Sequence, residues 1–254
     1  MSGTAATLLA PVVVLRTQAV GESDLIVWLL SPTVGRRDAA ARAARSSRKR
    51  FGSGLLRPFV QLEVAIAPAR KGGLPQLQGA TLQRDLLGPA PTYAQLCVAS
   101  YATELASLAA QPDHADAALF HWLCAALLAS AVTPEALCRR LVIAVQAGFL
   151  QVTGLLPDLW RCARCGKPLD GMAHWPPDAM GLGCQTCAEG AREWLAASDI
   201  QALWIAGQAC DAALLQGLTP TALSLISDRV QRLVGQAAHA PLRSALALRD
   251  LLRA

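Results

Sequence analysis

Apolar and polar residues alternate cleanly along "VQLEVAIA", Val60–Ala67. Val60, Leu62, Val64 and Ile66 share one face and Gln61 and Glu63 the other, the period-two signature of a half-buried strand. Upstream, "DLIVWLL" (Asp24–Leu30) is a continuous apolar run bounded by "GES" and "SPT", and "PVVVLRTQAV" (Pro11–Val20) predicts a strand before it. "KGGLP" (Lys71–Pro75) signals a turn, and "QLQGATLQ" (Gln76–Gln83) predicts the strand returning from it. A weak strand over Arg36–Arg42 completes a set of five. A small closed barrel suits that set, because closure removes sheet edges.

Past "LLGPAP" (Leu86–Pro91) the period becomes helical. Tyr93, Cys97, Tyr101, Leu105 and Leu108 follow a spacing of three to four, as do Leu119, Phe120, Leu123, Cys124, Leu127 and Leu128. "TPE" (Thr133–Glu135) predicts a helix start, with a Thr cap and Pro at the first helical position. Thr219–Pro220 repeats it ahead of Leu223, Ile226, Val230 and Leu233, and a last helix is predicted over Pro241–Leu252. The pattern predicts a strand-built domain over residues 1–86 and a mainly helical one over 87–254, interrupted by a cysteine-rich insert at about 160–190.

Of the 254 residues, 53% are apolar and 16% charged, which excludes wholesale disorder. The net charge of +5 is unevenly spread. Residues 1–86 hold 12 Lys+Arg against 5 Asp+Glu, and residues 87–254 hold 11 against 13. An N-terminal third of this charge favours a polyanion, nucleic acid or anionic membrane. Arg supplies 20 of the 23 cations, which leans toward phosphate and base recognition. "MSGTAATLLAPVVVLR" lacks the charged start of a signal segment. The uncharged runs Ala117–Pro134 and Leu141–Pro157 are short for a membrane span and read as buried core helices. The expectation is a soluble, cytoplasmic protein with no membrane partner.

Four of the eight cysteines form "CARC" (Cys162, Cys165) and "CQTC" (Cys184, Cys187), a C-x2-C-x18-C-x2-C pattern. Two-residue gaps let both thiolates of a knuckle face one ion, and this spacing falls within the zinc template. Gly166, Gly181 and Gly183 are read as permitting tight turns. Disulfides and a redox pair are the alternatives, disfavoured by compartment and by the lack of a βαβ pattern. Four thiolates leave no open position for water, so one structural Zn2+ per chain is expected, with His174 surplus as a ligand. Cys97, Cys124, Cys138 and Cys210 sit singly on helical patterns and read as buried free thiols.

No catalytic pattern stands out. His114, His121, His174 and His239 form no metal motif, and no phosphate loop or nucleophile elbow is present. Asp113 and Asp116 around His114 read as a helix start, and Glu22 and Asp24 in "GESD" as a turn and cap. The chain is not expected to be an enzyme.

The densest positive charge runs from Arg36 to Arg57: Arg36, Arg37, Arg42, Arg45, Arg48, Lys49, Arg50 and Arg57. Small residues with Ser46 and Ser47 suggest a mobile connection between two strands, where cations could track a nucleic-acid backbone. Phe59 opens an apolar strand and is expected in the core. Phe51 is open between core and a stacking face.

"GESDLIVWLLSPTVGRRDAAARAARSSRKRFGSGLLRPF" resembles the N-terminal region of the bacterial DNA-repair family RecO: a GE-x-D turn, an apolar strand, a Gly-led third strand, then a basic Ser-containing loop ending near Pro-Phe. "CRRLVIAVQAGFLQVTGLLPDLWRCARCG" (Cys138–Gly166) resembles the family's Arg-led helix and first knuckle, "GLGCQTC" its second, and "APLRSALALRDLL" (Ala240–Leu252) its C-terminal helix. The resemblance implies an α+β chain: an N-terminal OB-fold barrel, then a mainly α-helical domain with an inserted zinc-ribbon-like element of four cysteines. It implies a mediator that binds single- and double-stranded DNA and anneals complementary strands. It further implies that the chain helps RecR load RecA on DNA coated by single-stranded DNA-binding protein (SSB), with RecF an indirect partner. Arg139 and Arg140 match the helix that contributes to the site for the acidic C-terminal tail of SSB. The third strand departs from the family in being nearly all Ala and Arg around Asp38. It is expected to be short or frayed and its inward face poorly packed. The alternatives are a zinc-ribbon transcription or RNA-processing factor that reads sequence, and an enzyme with an unrecognised site.

Overall fold

The computed structural model describes residues 6–52, 54–69, 72–177, 181–238 and 242–253. Lys71 of the predicted turn, His239 and Pro241 lie outside them. Five strands, β1 (Thr7–Val20), β2 (Asp24–Ser31), β3 (Gly35–Ala41), β4 (Val60–Ala67) and β5 (Gln76–Asp85), close a barrel in the order β1-β2-β3-β5-β4. Neighbours are antiparallel except β3 and β5, which meet in parallel at Ala40 and Gln76. This is the OB-fold order, with a one-turn helix, α1 (Arg48–Phe51), between β3 and β4.

Strand alternation fills the barrel. Val12, Val14, Val27, Leu29, Leu62 and Val64 point inward and are fully buried. The expectation of a frayed, poorly packed third strand is overturned. β3 pairs with β2 along its whole length, and Ala39 and Ala41 are fully buried. Their small side chains leave space that Phe51 takes: it belongs to the same core cluster and is 1% exposed. Burying a Phe contributes about 1.5–3 kcal/mol, and a ring so enclosed has no face left to stack a base. Phe51 is therefore core. Phe59, expected there, is only half-buried, with a positive φ of 70° ahead of β4.

Gly35 shows why β3 begins with glycine. Its φ is +69°, and a Cβ there would stand 2.0 Å from the His114 carbonyl oxygen. Residues 111–114 lie along the start of β3, where the Arg36 N–H donates to the Gln111 carbonyl at 3.1 Å. This stretch links α2 (Tyr93–Ala109) to α3 (Ala117–Val132). Thr92 and Gln95 form a capping box for α2, and Asp116 Oδ1 accepts the Leu119 N–H to cap α3. The buried face of α2 runs through Cys97, Tyr101 and Leu105, whereas Tyr93 and Leu108 are exposed.

The chain divides into two compact units, Met1–Ala131 and Val132–Ala254. By contact α2 and α3 fall with the barrel, although the sequence period changes at Leu86–Pro91. In the second unit α4 (Cys138–Val152) contacts α5 (Ala197–Ala209), α6 (Pro220–Ala237) and α7 (Ser244–Arg253). "TPE" gives a 3-10 turn, Glu135–Leu137, before α4 instead of the α-helix itself. Thr219 caps α6 with Pro220 at its first position, as the pattern predicts. Gly207 lets α5 approach α4: a Cβ there would meet Gln151 Nε2 at 2.9 Å and Ala147 Cβ at 3.0 Å. No helix among the described residues is long and apolar enough to cross a membrane.

Candidate nucleic-acid interface and metal centre

The root of the connection from β3 to β4 is hydrogen-bonded to the β1–β2 turn. Asp24 Oδ1 accepts the Ala43 N–H at 2.8 Å, and the Arg45 N–H donates to the Ser23 carbonyl at 3.0 Å. Arg45 Nη1 donates to the Glu22 carbonyl at 3.0 Å. The "GESD" turn thus holds the root of the basic segment, which is a fuller role than turn and cap. Ser47 Oγ then accepts the Arg50 N–H to cap α1, and Phe51 plugs the barrel.

These anchors leave Arg42, Arg45, Lys49 and Arg50 exposed together. Arg50 reaches back to the Arg42 carbonyl at 2.8 Å and lies 5.2 Å over the Phe51 ring. Lys49 and Arg50 help line a groove of about 320 Å3, together with Glu63, Gln78, Gly79 and Thr81. The side chain of Arg48 lies outside the described part of the chain.

The remaining three cations have carboxylate partners. Arg37 pairs with Asp113 at 2.5 Å and Arg57 with Asp85 at 2.6 Å. Burial pushes the Asp85 carboxyl up, but the Arg57 guanidinium and the Leu87 and Gly88 N–H groups outweigh it and hold it below its ordinary 3.8. Arg36 Nε stands 3.2 Å from Asp38 Oδ1, both half-buried and off the line of a hydrogen bond. Asp38 therefore faces out of the barrel as the counter-charge of Arg36.

Two residues the sequence reading did not single out join that outer face. Trp28 stands across from Asp38, and the Arg16 guanidinium lies 4.2 Å over its ring. A bulge between Val14 and Arg16 explains the placement. Val14 points inward, and the extra residue, Leu15, turns Arg16 outward, where simple alternation would turn it in. "VVVLRTQ" shows no alternation that would reveal this, although Arg ending an apolar run is a signal.

The cysteine insert is built on three short bridges, Arg161 with Pro168, His174 with Gly183 and Ala173 with Leu195. The Sγ atoms of Cys162, Cys165, Cys184 and Cys187 all lie within 4.8 Å of one another, with Cys165 and Cys184 at 3.8 Å. Tetrahedral thiolates at the usual zinc–sulfur distance would be about 3.8 Å apart, so the quartet fits such an ion. The charge chemistry agrees. The Cys184 N–H points at Cys162 Sγ and pulls that thiol down to about 6, whereas the Cys165 and Cys184 sulfurs push Cys187 up to about 12. Four such groups share a site as thiolates only around a cation. His174 stands apart, its Nδ1 2.8 Å from the Glu193 carbonyl.

Gly166 takes φ +71° in the first knuckle, but Gly181 and Gly183 answer a different need. A Cβ on Gly181 would lie 2.7 Å from Ala163 Cβ, so the two knuckles close only over a bare backbone. Buried Arg229 on α6 ties the insert to the helices, donating from Nε to the Trp175 carbonyl at 2.8 Å and pairing with Asp228 and Glu193. Cys97, Cys138 and Cys210 are buried, the Cys138 and Cys210 thiols donating to the Pro134 and Gly207 carbonyls, and Cys124 is half-buried. Arg139 is exposed at the start of α4, while Arg140 Nε donates to the Leu215 carbonyl at 3.3 Å.

A family model described as Recombination protein O N terminal matches residues 6–84, and one described as Recombination protein O C terminal matches residues 91–244. The chain belongs to the RecO family. The DNA repair protein RecO of Anaeromyxobacter dehalogenans (strain 2CP-C) is 36% identical over 180 residues, covering 70% of this chain and 69% of that protein. That of Pelobacter propionicus is 32% identical over 180 residues, covering 71% and 72%. That of Synechococcus sp. (strain JA-3-3Ab) is 29% identical over 233 residues, covering 87% and 77%. The RecO N-terminal match spans the barrel and its basic loop, and the C-terminal match spans all four cysteines.

Proposed function

We propose that this chain is a non-enzymatic recombination mediator that binds single- and double-stranded DNA and anneals complementary strands. With RecR it would help load RecA on SSB-coated DNA. The observation that carries the reading is the cluster of Arg42, Arg45, Lys49 and Arg50, held exposed on an OB-fold barrel by the Glu22–Asp24 turn. Anchored guanidinium groups track a phosphate backbone, and an aromatic or guanidinium plane nearby stacks bases. Arg16 over Trp28 supplies such a plane on the barrel's outer face. Arg48 belongs to the same track, and Arg36, Arg37 and Arg57 contribute through exposed edges once their carboxylate pairs are bridged or opened. Residues 1–86 act as the DNA-binding domain and 87–254 as the partner-binding helical domain. The protein works in the cytoplasm, on the nucleoid.

The metal is Zn2+, one per chain, held by Cys162, Cys165, Cys184 and Cys187. Four thiolates close its coordination, so it supplies structure and no reactive water. Exposed Arg139, beside the carbonyl-anchored Arg140, receives the acidic C-terminal tail of SSB at the start of α4.

Replacing Arg42, Arg45, Lys49 and Arg50 by Ala is expected to weaken single-strand binding about 100-fold at moderate salt and to flatten its salt dependence. Titration with a labelled oligonucleotide reads both; unchanged affinity sinks the assignment. Annealing of oligonucleotides coated with SSB, with and without its acidic tail, tests the mediator role. A large preference for one sequence over random oligonucleotides would instead favour a sequence-reading factor.

A further inference from the structure

Outside the N-terminal third the chain is acidic, with 11 Lys+Arg against 13 Asp+Glu over residues 87–254. Against that background "WRCARCGK", Trp160–Lys167, carries three cations in eight residues and no acid. The fold leaves them outside: Trp160 is 45% exposed, and Arg161, Arg164 and Lys167 are exposed around it in the chain.

The insert also fixes where they stand. Asp158 Oδ1 accepts the Trp160 N–H at 2.8 Å and the Arg161 N–H at 3.2 Å, which fixes the turn that enters the knuckle. Arg161 Nη1 donates to the Gly166 carbonyl at 3.4 Å and Arg164 Nη1 to the Cys187 carbonyl at 3.3 Å, one guanidinium on each knuckle. Trp160 stands against Trp204 in an edge-to-face pair with centroids 6.2 Å apart, which sets its orientation. Packing on Trp204 accounts for the buried half of the indole, and the negative charge of four thiolates around a divalent ion accounts for cations nearby. Neither accounts for the half of Trp160 left in water beside three cations that all stay exposed.

We propose that the exposed face of the first knuckle, Trp160–Lys167, is a second contact for a single nucleic-acid strand, distinct from the basic loop of the barrel. Trp160 stacks a base, and Arg161, Arg164 and Lys167 take the flanking phosphates. Annealing needs two strands held at once, and the barrel loop tracks one. The inference rests on nucleic acid being the ligand, as proposed above, but it fails separately.

The test uses metal-loaded, full-length protein saturated with a donor-labelled dT oligonucleotide, with capture of an acceptor-labelled dT oligonucleotide followed by energy transfer. Trp160→Ala, and Arg161, Arg164 and Lys167 replaced together by Gln, are each expected to weaken second-strand capture about tenfold, the scale of one lost base stack. First-strand affinity is expected to stay within about twofold, because the barrel cations remain. Trp160→Phe, which keeps a stacking face, restores capture. All variants are compared at equal metal content, so an unfolded insert cannot imitate the result. Undiminished capture by both knuckle variants overturns the proposal. So does displacement of the second strand by an acidic peptide far below the concentration of a competing oligonucleotide, which would assign the surface to a protein. If the knuckle variants lose first-strand binding while the barrel variant keeps it, the barrel reading falls and the knuckle stands as the primary contact.

Discussion

The β3–β4 connection and the cysteine insert are both cation-bearing interruptions, yet different chemistry holds them. The loop is fastened by its neighbours: Asp24 and the Ser23 carbonyl take its N–H groups, and Phe51 plugs it into the barrel. The insert has its own centre, four sulfurs within 4.8 Å, and is tied to the helices by buried Arg229. A short loop borrows a finished core. The insert instead gathers four sulfurs close enough to hold a metal ion.

That contrast can be broken from either side. Cys184→Ser, or exhaustive chelation, is expected to unfold the insert. Metal binding at such sites is worth on the order of 10 kcal/mol in apparent free energy. Metal content and thermal unfolding read the loss, and oligonucleotide binding at the barrel should survive it. If barrel binding collapses with the metal, the two regions are not independent. Phe51→Ala should do the converse, destabilising the barrel by about 3–5 kcal/mol in denaturant unfolding while metal content holds at wild-type level. Asp24→Ala is a finer cut. It removes the partner of the Ala43 N–H, costs about 1–2 kcal/mol, and should weaken oligonucleotide binding without removing a cation. Wild-type affinity in that variant would show that the loop root does not matter.

The smallest effect concerns pH. Hydrogen bonding from Arg232, with Arg229 beside it, holds the Asp228 carboxyl below its ordinary 3.8. A depressed folded value means stability present above 3.8 and lost as pH falls through the folded value. Arg232→Gln should therefore cost stability at neutral pH, below about 1 kcal/mol because Arg232 and Asp228 are both about half exposed, and the difference should vanish on acidification. A gap that widens in acid would contradict the sign.

Much of this is legible in the residues, and the gaps have physical causes. β4 runs over Val60–Ala67 as its alternation predicts, and the four cysteines meet as their spacing demands. β3 misleads because "GRRDAAA" looks empty of core residues. Its small side chains make sense only once Phe51, ten or more residues on, is known to fill the space beside them. Asp38 is opaque for a similar reason. Its partner Arg36 lies two residues away, on the same outer face of β3, which only strand geometry reveals. Arg16 escapes notice because a single bulged residue changes its side. The anchoring of the basic loop's root depends on Glu22, Ser23 and Asp24, contacts across about 20 residues that no local pattern encodes.

The anchoring of that loop at Ser23 and Asp24 has a thermodynamic consequence. A floppy arm that settles on DNA loses conformational freedom residue by residue, roughly 1–2 kcal/mol for each backbone position fixed. Here hydrogen bonds at Ala43 and Arg45 hold the loop root before any DNA arrives. Association should therefore show little of the heat-capacity signature of coupled folding, and its free energy should be governed by the ions released from the strand.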